Sequence, residues 1–128
     1  MGTNYYHEVV KCEHCGASER YHLGKSSGGW CFSLHVDPEN GIHDLPDILT
    51  RFDNKGGRIV NEYGDVVSVT QFLEVVSERS WQDSPFPDGW LEANHAVLGP
   101  RNIARHKIEG ACIGHGSGTW DYIVGEFS

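Results

Sequence analysis

Three of the chain's four cysteines and three of its eight histidines fall in one stretch, CEHCGASERYHLGKSSGGWCFSLH, residues 12–35. Cys12 and Cys15 have the Cys-x2-Cys spacing that puts two thiolates on one knuckle, at the reach of about 2.3 Å that tetrahedral zinc takes. A redox pair of the same spacing opens a helix in a βαβ setting. Here Gly16 follows and no helical periodicity succeeds it, so zinc is the expected cofactor. Two further ligands must come from elsewhere, and His22 and His35 are the expected pair. Cys31, Cys112 and His115 are the alternatives, and His14, inside the knuckle, is expected to point outward.

The choice of His22 and His35 rests on the strands that would carry them. Residues 20–25, RYHLGK, and 30–36, WCFSLHV, have β-forming composition and are joined by SSGG. In the second run Trp30, Phe32, Leu34 and Val36 alternate with Cys31, Ser33 and His35, and period two assigns the two sets to opposite faces. A tight turn at SSGG would set Lys25 opposite Trp30 and His22 opposite Ser33, placing His22 on the face of Cys31, Ser33 and His35.

The remaining elements follow from periodicity and capping. YYHEVV, residues 5–10, is a further strand. Leu45, Ile48, Leu49 and Phe52 recur at helical spacing behind Asp44 as N-cap and Pro46 in the first turn. Residues 58–68 form a small hairpin, and Ser68 with Gln71 make a capping box for a second helix ending near Arg79. Residues 80–100 hold three of the five prolines and two of the four tryptophans and read as a long loop with a short helical turn at LEANHAVL. ACIGHGSGTWDYIVGEF closes the chain as strand, Gly-rich turn and strand. The sum is a single α+β domain over residues 1–128: a small mixed sheet, two helices and an N-terminal zinc knuckle.

Two other segments could do chemistry. GKSS is not a phosphate loop: Glu19 stands where the first glycine of that motif belongs, and a strand rather than a helix follows. Lys25, Ser26 and Ser27 are thus expected to make a turn and not a nucleoside-triphosphate site. In CIGHGSGTWD, His115 lies among glycines with Asp121 six residues on, an arrangement in which Asp121 could fix the tautomer of a histidine base. Trp81, Phe86 and Trp90, in or beside the Pro-rich loop, are aromatic residues of the type that anchors a partner. They also have the option of folding back on the core.

A formal charge of −8 over 128 residues disfavours binding to a nucleic-acid backbone or an anionic membrane. No window reaches the roughly 18 apolar residues of a membrane span. Absence of a secretion signal leads to an expectation of a cytoplasmic protein with reduced cysteines. MGTNYY, CEHCG, HLGKSSGGWCFSLH, NEYGDVVS and CIGHGSGTWDYIVGEFS together resemble a family of short bacteriophage- and prophage-encoded proteins with an N-terminal CxxC knuckle. That resemblance implies an infected bacterial host and assigns no catalytic residue. Three functions follow as expectations: a zinc-stabilised module binding a host protein or small molecule, a binder of a nucleotide-like small molecule through its Gly-rich turns, or a metal-dependent hydrolase using His115 and Asp121.

Overall fold

The computed structural model describes residues 2–10, 14, 18–82, 86–125 and 127. A mixed sheet of seven strands runs in the order β5-β4-β1-β2-β3-β9-β8. Its members are β1 (Gly2–Val10), β2 (Ser18–Ser27), β3 (Phe32–His35), β4 (Arg58–Asn61), β5 (Val66–Val67), β8 (Cys112–His115) and β9 (Trp120–Ile123). β3 and β9 pair in parallel, whereas the other pairs are antiparallel. Helices α1 (Leu45–Lys55) and α2 (Val69–Ser77), a single turn α3 (Trp90–Ala93), two 3-10 turns (Pro38–Asn40 and Pro100–Asn102) and a ribbon of β6 (Ala96–Leu98) and β7 (Ala104–His106) complete the described fold. The expected small α+β architecture is thus present; the helical turn expected at LEANHAVL is α3, but the end of that stretch is strand β6, which with β7 adds a second, two-stranded sheet.

The helices start where the sequence places their caps. Asp44 accepts a bond from the Asp47 amide at 3.0 Å, and Ser68 and Gln71 close both bonds of the capping box at 3.1 and 3.0 Å. α1 delivers Leu45 and Ile48, and α2 delivers Phe72 and Val76, onto Leu23, Phe32, Leu34 and Ile59 of the sheet. Phe72 meets Phe32 and Phe52 edge to face, the geometry that the ring quadrupole favours. Both helices therefore cover one face, and the opposite face is left for polar side chains.

The β2–β3 hairpin is wider than SSGG alone implies. Lys25 stands opposite Ser33 and Gly24 opposite Leu34, in place of the expected Lys25–Trp30 and His22–Ser33 pairs. The connection is longer because Trp30 and Cys31 pair with Ala104 and not with β2. β2 also carries a β-bulge against β1: Tyr5 pairs with Gly24 and Tyr6 with His22, so Leu23 is an extra residue on β2. Leu23 enters the core. Gly24 has φ +155°, and a Cβ there would run into the Ser33 carbonyl and the Phe32 ring. The glycine of GKSS is therefore a close-approach residue, and the bulge brings Lys25 round to the open face with Ser33.

His7 shows what burial does to a titratable group in this fold. It is 1% exposed, packs edge-on against Phe52, donates from Nε2 to the Gly56 carbonyl at 2.5 Å and accepts at Nδ1 from Arg51 Nε at 3.1 Å. Burial lowers its pKa, with the Arg51 charge acting the same way against the Gly56 carbonyl. The unfolded imidazole takes up its proton near 6.5, before the folded one does, so stability falls as pH drops below that value. Urea midpoints measured from about pH 7.5 to about pH 5 are expected to decline, with a shallower decline in His7→Gln.

Candidate functional site

A row of directly opposed residues crosses the open face: Asn4 on β1, Lys25 on β2, Ser33 on β3, Asp121 on β9 and His115 on β8. Direct cross-strand pairing puts such side chains on one surface. Beside the row, β7 reaches the sheet where Trp30 bridges Ala104, and Cys31 donates its amide to the Ala104 carbonyl at 2.9 Å. That contact brings Arg105 and His106 over Asp121.

Asp121 is 0% exposed and both of its oxygens are engaged. Oδ2 accepts from Cys31 Sγ at 3.0 Å, the His106 amide at 2.9 Å and His106 Nδ1 at 3.1 Å. Oδ1 accepts from Arg105 Nε at 3.1 Å and His115 Nδ1 at 2.6 Å. Burial alone would raise this carboxyl's pKa, but the hydrogen bonds led by His106 and Cys31 prevail and hold it down to about 2. Cys31 moves the other way: burial, then the Asp121 charge, pushes its thiol well above the usual range. Without a metal, Cys31 is thus a thiol that donates a hydrogen bond, not a nucleophile.

Arg105 also ties the β8–β9 turn together, its Nη2 donating to the carbonyls of Gly116, Gly118 and Trp120 at 3.2, 2.7 and 2.5 Å. A Cβ at Gly116 or Gly118 would collide with the Trp120 indole. These glycines let the indole lie across the turn.

The His115–Asp121 pair expected from the sequence is present, with Asp121 holding the Nδ1 side of the ring. His106, Arg105 and Cys31 join it from β7 and the residue before β3. Nothing in the spacing of ARHK marks a partnership with Asp121, since β7 belongs to the separate two-stranded sheet, which the Trp30–Ala104 bridge brings against the main one. The described residues contain two groups that could hold a metal ion, Cys31–His106–Asp121 and Cys112–His115–Asp121, and in each the ligand atoms lie within 4.8 Å of one another. Asp121 belongs to both.

Cys12 and Cys15 lie outside the described residues, and His14 is exposed in a turn. His22 and His35 do come together, with ring centroids 5.6 Å apart and stacked, and Phe127 packs on both. His22 Nε2 meets Asn4 Oδ1 at 2.9 Å and His35 Nδ1 meets the His22 carbonyl at 2.8 Å. Burial, followed by the charge of His35, lowers the His22 pKa to about 4. His22 pairs with Tyr6, four residue pairs from Val10–Ser18 at the knuckle end of the hairpin, a run of about 13 Å along the strand.

Trp81, Phe86 and Trp90 fold back, each half-buried. Trp81 lies against Gly28 and Gly29 and takes the Arg101 carbonyl on its amide at 3.0 Å. Phe86 stacks on Trp90 at 4.2 Å, Trp90 meets Trp30 at 5.6 Å, and Trp30 stacks on His106 at 4.7 Å. The aromatic segment therefore continues into the Asp121 cluster. Comparison with protein-family models, curated proteins and solved structures finds no match.

Replacing Arg105 by Met leaves a buried carboxylate without its cation and three carbonyls without their donor. The expected loss is about 3–5 kcal/mol in urea unfolding. Arg105→Lys should recover only part of it, because an ammonium cannot span Asp121 and the turn at once.

Proposed function

We propose that this chain is a zinc-centred protein that binds a small molecule, its metal held on the Oδ2 side of Asp121 by Cys31 and His106. The observation that carries this reading is the approach of a thiol and an imidazole nitrogen to one carboxylate oxygen, at 3.0 and 3.1 Å, in a buried setting. Ligand atoms on a zinc tetrahedron with bonds near 2.0–2.3 Å stand roughly 3.3–3.7 Å apart. A small outward movement would let one ion replace the two hydrogens now shared with Oδ2. Nitrogen, sulfur and carboxylate together suit zinc among the common divalent ions.

Binding would release the Cys31 proton and give a thiolate and a carboxylate against a divalent cation, a neutral set. Three protein ligands leave the fourth position for water or a ligand, the property that separates working zinc sites from closed structural ones. The Oδ2 side is favoured over Cys112–His115 because Arg105 Nε already occupies Oδ1, and a cation there would meet the guanidinium. A small molecule is favoured over a protein as the target because Trp81, Phe86 and Trp90 are spent on packing against the β2–β3 turn. The resemblance to phage-encoded proteins supports a bacterial cytoplasm as the setting, with a host protein as the alternative target. Among the described residues no helix is long and apolar enough to cross a membrane.

Cobalt substitution tests the assignment. Wild type is expected to show a thiolate-to-cobalt band in the near ultraviolet that Cys31→Ser and Asp121→Asn abolish and Cys112→Ser retains. A band of full intensity in Cys31→Ser that disappears in Cys12→Ser would move the metal to the knuckle and end this reading.

A further inference from the structure

We propose that the cavity beside the Asp121 cluster is a binding site for a phosphate monoester with a small apolar or aromatic group. The proposal deepens the small-molecule reading and rests on it, but it does not depend on zinc. The cavity holds about 200 Å³ and is lined by Lys25, Ser27, Trp30, Ser33, His106, Ile123 and Phe127. That is below the roughly 300–1,000 Å³ of pockets for drug-sized ligands, so its occupant is small.

The lining has two chemistries. Lys25, Ser27, Ser33 and His106 are polar, whereas Trp30, Ile123 and Phe127 form an apolar wall. Among the described residues Lys25 has no ion-pair partner, and neither the Ser27 nor the Ser33 hydroxyl makes a hydrogen bond. Ser33 is only 9% exposed and lines the cavity, and its hydroxyl is not among the fully buried unpaired atoms of the described residues, so a ligand or water in the cavity can engage it. His106 commits Nδ1 to Asp121, which leaves Nε2 as its contact with an occupant.

An ammonium, two hydroxyls and an imidazole nitrogen suit a tetrahedral oxyanion with several terminal oxygens better than a planar carboxylate with two. The neighbouring carboxylate does not oppose an anion, because Asp121 is already paired with Arg105 at 3.1 Å. Sheet register makes the site: Lys25 stands directly opposite Ser33, and the bulge at Leu23 lets Lys25 face the open side while Leu23 enters the core. This is not a triphosphate loop, since the donors are side chains spread over β2, β3 and β7 and not successive amides before a helix.

Tryptophan fluorescence and calorimetric titration with phenyl phosphate, inorganic phosphate, benzoate and benzyl alcohol test the assignment. Both zinc-loaded and chelator-treated protein should be used. Phenyl phosphate is expected to bind saturably in both forms, more tightly than inorganic phosphate or benzoate, and benzyl alcohol not at all. Lys25→Met should weaken phenyl phosphate about tenfold and Ser33→Ala by less, with circular dichroism confirming the fold. Should Lys25→Met not fold, Ser33→Ala and Lys25→Gln carry the test. The absence of saturable binding to wild type would overturn the proposal, as would unchanged affinity in the folded variants. Cys31→Ser separates the two readings. Binding that survives Cys31→Ser and remains sensitive to Lys25 upholds the pocket even if the zinc assignment fails. Binding that requires zinc and ignores Lys25 would leave the metal centre standing and remove this site.

Discussion

A fully buried carboxylate is the constraint around which this molecule is arranged. Asp121 cannot be desolvated without donors, and the fold supplies them from four residues in three segments: Cys31 before β3, Arg105 and His106 on β7, and His115 on β8. Each donor fixes the position of the segment that carries it. The two-stranded ribbon is held against the main sheet, the last hairpin is braced through Arg105, and β3 and β9 are pinned where their parallel pairing begins. Such a connected network is high-stakes, because every member is needed for the others to stay satisfied.

The division of the sheet into two faces follows from the same economy. α1 and α2 bury Phe72, Ile48 and their neighbours against Phe32, Leu34 and Leu23, so apolar surface is concentrated on one side. Polar side chains of the central strands must go to the other. There they meet in one row, from Asn4 through Lys25, Ser33 and Asp121 to His115. A single bulged residue, Leu23, decides that Lys25 belongs to that row. Both the metal reading and the oxyanion pocket are therefore products of sheet register more than of any local motif.

The aromatic loop connects this face to the rest of the molecule. Phe86, Trp90, Trp30 and His106 form a continuous series of ring contacts, so the orientation of the His106 ring depends on side chains as far away in sequence as Phe86. Arg79 adds a brace from beyond α2, donating to Ser26 Oγ and to the carbonyls of Ser27 and Trp30. The turn between β2 and β3 is consequently held from two directions, which is what a preorganised pocket at its base requires.

Much of the secondary structure was legible in the residues alone. Asp44, Pro46, Ser68 and Gln71 mark helix starts because capping is a local hydrogen-bond requirement. The alternation of Phe32 and Leu34 marks a core face because side-chain direction in a strand has period two. The partnership of His115 with Asp121 was also within reach, since a Gly-rich turn between two short strands brings residues six apart opposite each other. What sequence could not decide was everything carried by long-range register. The bulge at Leu23 is invisible to a period-two reading, as an extra residue costs little locally and shows itself only against its partner strand. Likewise Cys31, Arg105 and His106 reach Asp121 across 90, 16 and 15 residues. Such contacts are selected by the need to satisfy one buried charge in the assembled fold, and no propensity or spacing along the chain records that demand.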